Sequence, residues 1–210
     1  MKIAVYNIKG STGKTPIATN IAFDLGYAVV TNEKYHILGD IFPEERVMQV
    51  PANKPFPRFP NDLDVVFDLG GFIEGGTPSV ASALGQADIV IIPVNNELKA
   101  LRNTIHTIEE VSPINSNILV VGTKLEKKDK ASGKWELGDD FQNIKRVIHS
   151  VTGKEYPILP LKLSKVFEAI FDEEKSIKQI VNEGGLAAYT YNEVAQQFSD
   201  IYTFLKVDYE

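Results

Sequence analysis

The strongest constraint in this chain lies near its start, where a short apolar run passes through a basic, glycine-bearing turn into an amphipathic segment. Lys2 to Asn7 reads as a strand, and Lys9-Gly10-Ser11-Thr12-Gly13-Lys14-Thr15 as the turn. Pro16 to Gly26 then reads as a helix with Ile17, Ile21 and Leu25 on its inner side. In such a strand, turn and helix, successive backbone N–H groups can point inward around phosphate oxygens, backed by the partial positive charge of a helix N-terminus. Gly10, Ser11, Thr12 and Gly13 would form the cradle, Lys14 would neutralise the β and γ phosphates, and Thr15 would offer a hydroxyl to Mg²⁺. Pro16 suits the first helical turn, where its missing N–H costs little. The strict pattern G-x-x-x-x-G-K-[ST] is not met, because Ile8 stands in the place of its first glycine.

The rest of the chain keeps the same rhythm of short apolar runs and longer amphipathic segments. Further strands are expected at Ala28 to Thr31, Val47 to Val50, Asp64 to Asp68, Ile89 to Val94, Ile118 to Gly122 and Tyr156 to Leu159. Helices are expected at Ser79 to Gln86, Leu98 to Val111, Asp139 to Val151, Lys165 to Phe171, Ser176 to Glu183 and Tyr191 to Leu205. Several strands are nearly continuous in Val, Ile and Phe, as strands covered on both faces are. The expected class is α/β, a mostly parallel central sheet with helices on both faces, in a single nucleotide-binding domain over residues 1–210. With 210 residues, a chain buries roughly 70% of its unfolded surface and needs no covalent staple. The absence of cysteine removes thiolate metal sites, iron–sulfur clusters and cysteine nucleophiles, and fits a reducing, cytoplasmic setting. Met1 to Tyr6 holds no signal-peptide core. No apolar run approaches the ~18 residues of a membrane span, so stable membrane insertion is not expected.

A second carboxylate should complete the metal site. Asp64-Val65-Val66-Phe67-Asp68-Leu69-Gly70-Gly71 puts Asp68 at the carboxyl end of a hydrophobic strand, where ligands gather in open α/β sheets. Asp68 is therefore expected to hold Mg²⁺, through water, together with Thr15. Gly70, Gly71, Gly75 and Gly76 follow, either as a segment that moves when a γ-phosphate is gained or lost, or as a flexible surface loop. His36, His106 and His149 lack the spacing of paired metal ligands, and there is no G-x-S-x-G nucleophile elbow.

Taken together, these motifs resemble the ParA/MinD family of deviant Walker A P-loop ATPases, most closely the short plasmid-type ParA proteins. The family loop is K-G-G-x-G-K-[ST], matched here except for Ser11 in place of the second glycine. Ala87-Asp88-Ile89-Val90-Ile91-Ile92-Pro93-Val94 resembles the family strand that ends in Pro before a helix with dimer contacts. Leu161 to Ile170, then Lys175-Ser176-Ile177, resembles its C-terminal run. The resemblance implies ATP and Mg²⁺ as ligands and a homodimer formed on ATP binding, in which Lys9 reaches the phosphates of the opposite subunit. After the second strand the family carries Asp-x-Asp to position water, where this chain has Thr31-Asn32-Glu33. Glu33 would take the second position as the catalytic carboxylate, with Asp40 as another candidate on the same loop. Val121-Gly122-Thr123-Lys124-Leu125-Glu126 resembles the T-K-x-D run of signal-recognition GTPases. This makes Lys124 a base-binding candidate and leaves ATP and GTP both open, ATP being favoured by the likeness elsewhere.

Short ParA proteins bind DNA without sequence preference and move a cargo marked by a ParB-like or small DNA-binding adaptor protein. Such binding needs basic surface, and the net charge is −6, so any patch must be local. The candidates are Lys127, Lys128, Lys130 and Lys134 in one loop, Lys145, Arg146 and His149 on a helix, and Lys162 and Lys165. The Pro51 to Pro60 segment, with Phe56 and Phe59, cannot be a helix or a central strand; it docks a partner or covers a sheet edge. Two other functions fit the residues: a weakly hydrolysing nucleotide-binding regulatory module, or an enzyme similar to dethiobiotin synthetase.

Overall fold

The computed structural model describes residues 1–71 and 77–207. The chain runs β1 (Lys2–Val5), α1 (Lys14–Leu25), β2 (Ala28–Thr31), α2 (Leu38–Ile41), a 3₁₀ turn (Glu44–Arg46), β3 (Val47–Gln49) and β4 (Val65–Asp68). It continues with α3 (Pro78–Gln86), β5 (Ile89–Val94), α4 (Leu98–Val111), β6 (Ile118–Leu125), α5 (Asp139–Thr152) and β7 (Ile158–Lys162). It ends with α6 (Val166–Asp172), α7 (Ile177–Asn182) and α8 (Gly185–Leu205).

The seven strands form one sheet in the order β3-β2-β4-β1-β5-β6-β7, and every pairing is parallel. Alternate side chains build two cores. Ile3, Val5, Val66, Ile91 and Val121 pack with α1, α6, α7 and α8 on one face. Ala4, Tyr6, Phe67, Val90 and Ile92 pack with α3, α4 and α5 on the other. Strands buried on both faces tolerate no polar alternation, which accounts for their continuous Val and Ile content.

Element boundaries differ from the sequence expectation where proline, glycine or distant partners intervene. β1 ends at Val5, because the Asn7 side chain turns away to bond the Pro93 carbonyl at 2.8 Å. Pro93 lies beyond the last β1–β5 pair, Val5 with Ile91, so its missing donor leaves no gap on that side. β7 begins at Ile158 and not Tyr156; the Pro157 carbonyl takes the Val120 N–H at 3.0 Å, and Pro160 is accommodated on an edge strand. α1 begins at Lys14, two residues before Pro16. α8 begins at Gly185, before the amphipathic pattern that starts at Tyr191, and exposes Leu186 and Tyr189. The short α2 escaped the sequence reading; one turn has no periodicity to detect.

The Pro and Phe segment covers a sheet face beside α3 and not an edge. Phe56 and Phe59 are buried with their rings set edgewise to Phe67, at 5.5 and 5.8 Å between centroids. The Phe56 N–H donates to Ser82 Oγ and the Phe59 N–H to Gln86 Oε1, each at 2.8 Å, which ties the strap to α3. Gly75 and Gly76 lie outside the described residues.

Candidate nucleotide site

The turn after β1 is anchored from outside itself. Asn7 is fully buried; its Nδ2 donates to the Pro93 carbonyl and to Thr104 Oγ1, and its Oδ1 accepts the Lys9 N–H, each at 2.8 Å. Thr107 Oγ1 accepts the Ile8 N–H at 3.2 Å. On the other side, Thr123 Oγ1 at the end of β6 donates to the Thr12 carbonyl at 2.8 Å. The loop is thus held to α4 and β6 before any ligand arrives. Asn7 escaped the sequence reading as a site residue, since nothing local distinguishes it from a strand end.

Two residues of the turn are left-handed, Ser11 at φ 63° and Gly13 at φ 99°. Only glycine adopts this region freely; another L-residue gives up roughly 1–2 kcal/mol. Ser11, the one departure from K-G-G-x-G-K-[ST], therefore falls at a position where glycine is favoured for a backbone reason.

Lys14 opens α1 and is nearly buried, with Nζ donating to the Lys9 carbonyl at 3.2 Å. Burial pushes its pKa down; the Asp68 and Glu33 charges oppose that and Lys9 adds to it. Asp68 ends β4 at 1% exposure. Burial pushes its carboxyl up to about 7, the Thr15 hydroxyl and Lys14 temper the shift, and Glu33 adds to it. Neither Asp68 carboxylate oxygen completes a hydrogen bond of normal geometry. A buried carboxylate so poorly satisfied is costly unless a cation completes it. The donor set of one hydroxyl and one carboxylate, both oxygen, fits a hard divalent ion that keeps most of its waters, as Mg²⁺ does.

Register brings the end of β2 beside this group, for Thr31 pairs with Asp68. Thr31 is buried and its Oγ1 accepts the Glu33 N–H at 3.1 Å. The Glu33 side chain lies against Gly70, where an added Cβ would stand 2.8 Å from Glu33 Cγ. Asp40 sits exposed on α2 and is not among the charges acting on Lys14 or Asp68. Of the two sequence candidates, Glu33 is the one whose charge acts on Lys14 and Asp68.

Next to Gly13 and Pro16 lies a cavity of about 410 Å³ walled by Ile17, Leu161, Phe167 and Phe171. Its rim carries Lys124, an exposed residue at φ 55° where the β6–β7 pairing is irregular. Glu126 lines a separate depression with Lys127 and Lys130, and Glu168 is the carboxylate at this cavity.

By sequence, no protein-family model and no curated protein matches the chain. By structure, a variant of Cyanothece McdA in complex with ATP superposes with a TM-score of 0.63 at 11% identity, covering 100% of this chain and 97% of that one. The septum site-determining protein MinD of Pyrococcus horikoshii, complexed with Mg-ADP, gives 0.58 at 13% identity over 95% and 96%. A ParA family ATPase from Chlorobium tepidum gives 0.54 at 14% identity over 92% and 97%. This chain has the MinD/ParA fold.

Within the MinD/ParA fold of this chain, Lys14, Asp68 and Glu33 act electrostatically on one another, with Thr15 beside Asp68 and the half-buried Lys9 close enough to affect Lys14. Lys124 stands apart at the cavity rim. The basic candidates do not form one free surface. Glu193 of α8 pairs with Lys128 and, at 3.0 Å, with Lys162, while Arg146 bonds Asn143 and His149 lies 4.0 Å from Glu155. Lys127, Lys130 and Lys134 remain exposed around Asp129. No helix among the described residues is long and apolar enough to cross a membrane.

Proposed function

We propose that this chain is a Mg²⁺-dependent ATPase of the MinD/ParA kind, whose ATP-bound homodimer acts as a switch in partition or positioning of DNA or another cargo. The observation that carries the reading is the buried Asp68 carboxylate, which has no hydrogen bond of normal geometry among the described residues, beside Thr15, Lys14 and Glu33 at the N-terminus of α1. The backbone N–H groups of residues 10–15 and the start of α1 would receive the phosphates. Lys14, already desolvated, would gain anionic partners there. Thr15 and Asp68 would hold Mg²⁺, which when bound supplies positive charge against the β and γ phosphate oxygens. Glu33 would orient the attacking water. Lys9 would reach across to the phosphates of the second subunit and offset charge on the transferring group, which makes association depend on ATP. The apolar cavity with Phe167 and Phe171 suits a purine ring, and Lys124 would border it.

The proposed partners are a second copy of the chain, a ParB-like or small DNA-binding adaptor, and non-specific DNA. Exposed Lys127, Lys130, Lys134 and Lys145 offer the basic surface, which two subunits side by side would double. Thr31 and Glu33 in place of Asp-x-Asp favour a second reading, a slowly hydrolysing regulatory module, because a displacement of about 1 Å can lower a rate 10²-fold.

Light scattering with and without ATP and Mg²⁺, beside phosphate release, tests both. A mass that doubles with ATP in the native chain and not in Lys9→Ala supports the switch. An unchanged mass overturns it. Turnover no higher than that of Lys14→Ala favours the regulatory module.

A further inference from the structure

Between the ends of β2 and β4 lies a contact that the nucleotide reading does not use. Asn32 is 3% exposed, and its side chain is spent in two opposite directions. Oδ1 accepts the Gly70 N–H at 2.7 Å, two residues past Asp68. Nδ2 donates to Ser79 Oγ at 2.9 Å, in the first turn of α3, and Ser79 Oγ in turn lies 2.9 Å from Thr77 Oγ1. One amide therefore joins the end of β2, the end of β4 and the start of α3. Only a side chain with both an acceptor and a donor makes this join, and a buried amide that loses either partner is costly.

The join has little slack. A Cβ on Gly70 would lie 3.3 Å from Asn32 Oδ1 and 2.8 Å from Glu33 Cγ, and one on Gly71 would lie 2.1 Å from the Ile8 carbonyl oxygen. Gly70 thus touches both Asn32 and Glu33, while Gly71 presses on the phosphate turn. A shift of Gly70 would pull on Asn32 and release the space against which Glu33 rests.

We propose that Asn32 is a positioning residue for hydrolysis: it holds Gly70 and α3 to the end of β2, so that the Glu33 carboxylate is kept at the phosphate site. This rests on the reading of the site as an ATPase with Glu33 as its water-orienting carboxylate. The Asn32 side chain is committed to Gly70 and Ser79, which leaves it no part in contacting phosphate or water. Its neighbour Glu33 does the chemistry, and Asn32 sets where Glu33 stands.

Asn32→Leu keeps the approximate volume and removes both hydrogen bonds; Ser79→Ala removes one of them at a helix start that Thr77 still caps. Single-turnover hydrolysis and MgATP affinity would be measured for each, with and without Glu33→Gln, at a temperature where circular dichroism shows the chains folded. The expected result is a fall in rate of at least about 10-fold for Asn32→Leu and a smaller fall for Ser79→Ala, with MgATP affinity within about 3-fold of native. In the Glu33→Gln background both effects should vanish, since a residue that acts through Glu33 has nothing left to position. Additive losses, affinity falling in step with rate, or binding without turnover in the native chain would overturn the positioning role and leave nucleotide binding intact. A native chain that binds no MgATP would overturn both. If Asn32→Leu does not fold, Ser79→Ala and its cycle decide alone.

Discussion

Gly71 stands so close to Ile8 that a Cβ on the glycine would lie 2.1 Å from the Ile8 carbonyl oxygen and 2.9 Å from that of Asn7. The segment after β4 is thereby seated directly on the entry to the phosphate turn. Both contact atoms are backbone, and Asn7 is pinned to Pro93, Thr104 and Lys9, so neither side can yield cheaply. Gly71→Ala should displace the turn and abolish MgATP binding in a titration. Gly122→Ala, whose Cβ would meet only side-chain atoms and a carbonyl at 3.5 Å and beyond, should bind normally and serves as the control.

Asp68 gives a prediction of opposite sign. A buried carboxylate without a well-formed hydrogen bond among the described residues works against folding, and burial pushes its pKa up to about 7 although Thr15 and Lys14 oppose the shift. Asp68→Asn should raise the stability of the nucleotide-free chain by about 1–3 kcal/mol, several degrees in Tm for a chain of this length. The same variant should gain no ATP affinity when Mg²⁺ is added. Thermal melting and titration with and without Mg²⁺ check both parts.

Glu193 gives a pH-dependent contribution of its own. Burial alone would push its carboxyl up, but the hydrogen bonds from Lys128 and Lys162 outweigh that and hold it at about 2. A depressed folded value means that its contribution is present above the ordinary glutamate range and is lost as pH falls toward 2. Glu193→Gln should be less stable than the native chain at pH 7, by at most about 1 kcal/mol because the pair is partly exposed. The difference should narrow below pH 4.5, and salt should reduce it. Melting curves across pH and ionic strength measure it.

The strap over Phe67 is a packing element. Phe56→Ala removes a buried ring that packs on Phe67 and should cost about 3–5 kcal/mol. Denaturant midpoints of the native and variant chains give the value.

Much of this was legible in the amino-acid order, and what was not has a common cause. The turn Lys9 to Thr15, the strand ending in Asp68 and the alternation of helix and strand are local patterns, and each is found where its pattern placed it. Glu33 was legible only as the residue after Thr31-Asn32; its nearness to Asp68 comes from the pairing of β2 with β4, partners far apart in the chain. Asn7 reads as an ordinary strand end, and Asn32 only as the residue between Thr31 and Glu33, because their hydrogen-bond partners, Thr104 and Ser79 among them, lie in other elements. Phe56 and Phe59 were visible as aromatics in a proline segment, but which surface they cover depends on Phe67 and α3.

The strand order carries a consequence for how the molecule is made. β1 precedes the other six strands of the sheet in the chain, yet its neighbours are β4 and β5, which begin only at Val65 and Ile89. The far side of α1 waits longer still, for Tyr202 of α8, whose hydroxyl bonds Asp24 at 2.6 Å. A nascent chain therefore carries its glycine turn without the walls that shape it until those later elements have been made. Such long-range closure is slow, and its intermediates expose apolar strand surface. A nucleotide that binds only the closed form would act as a late ligand that draws finished chains into the native population.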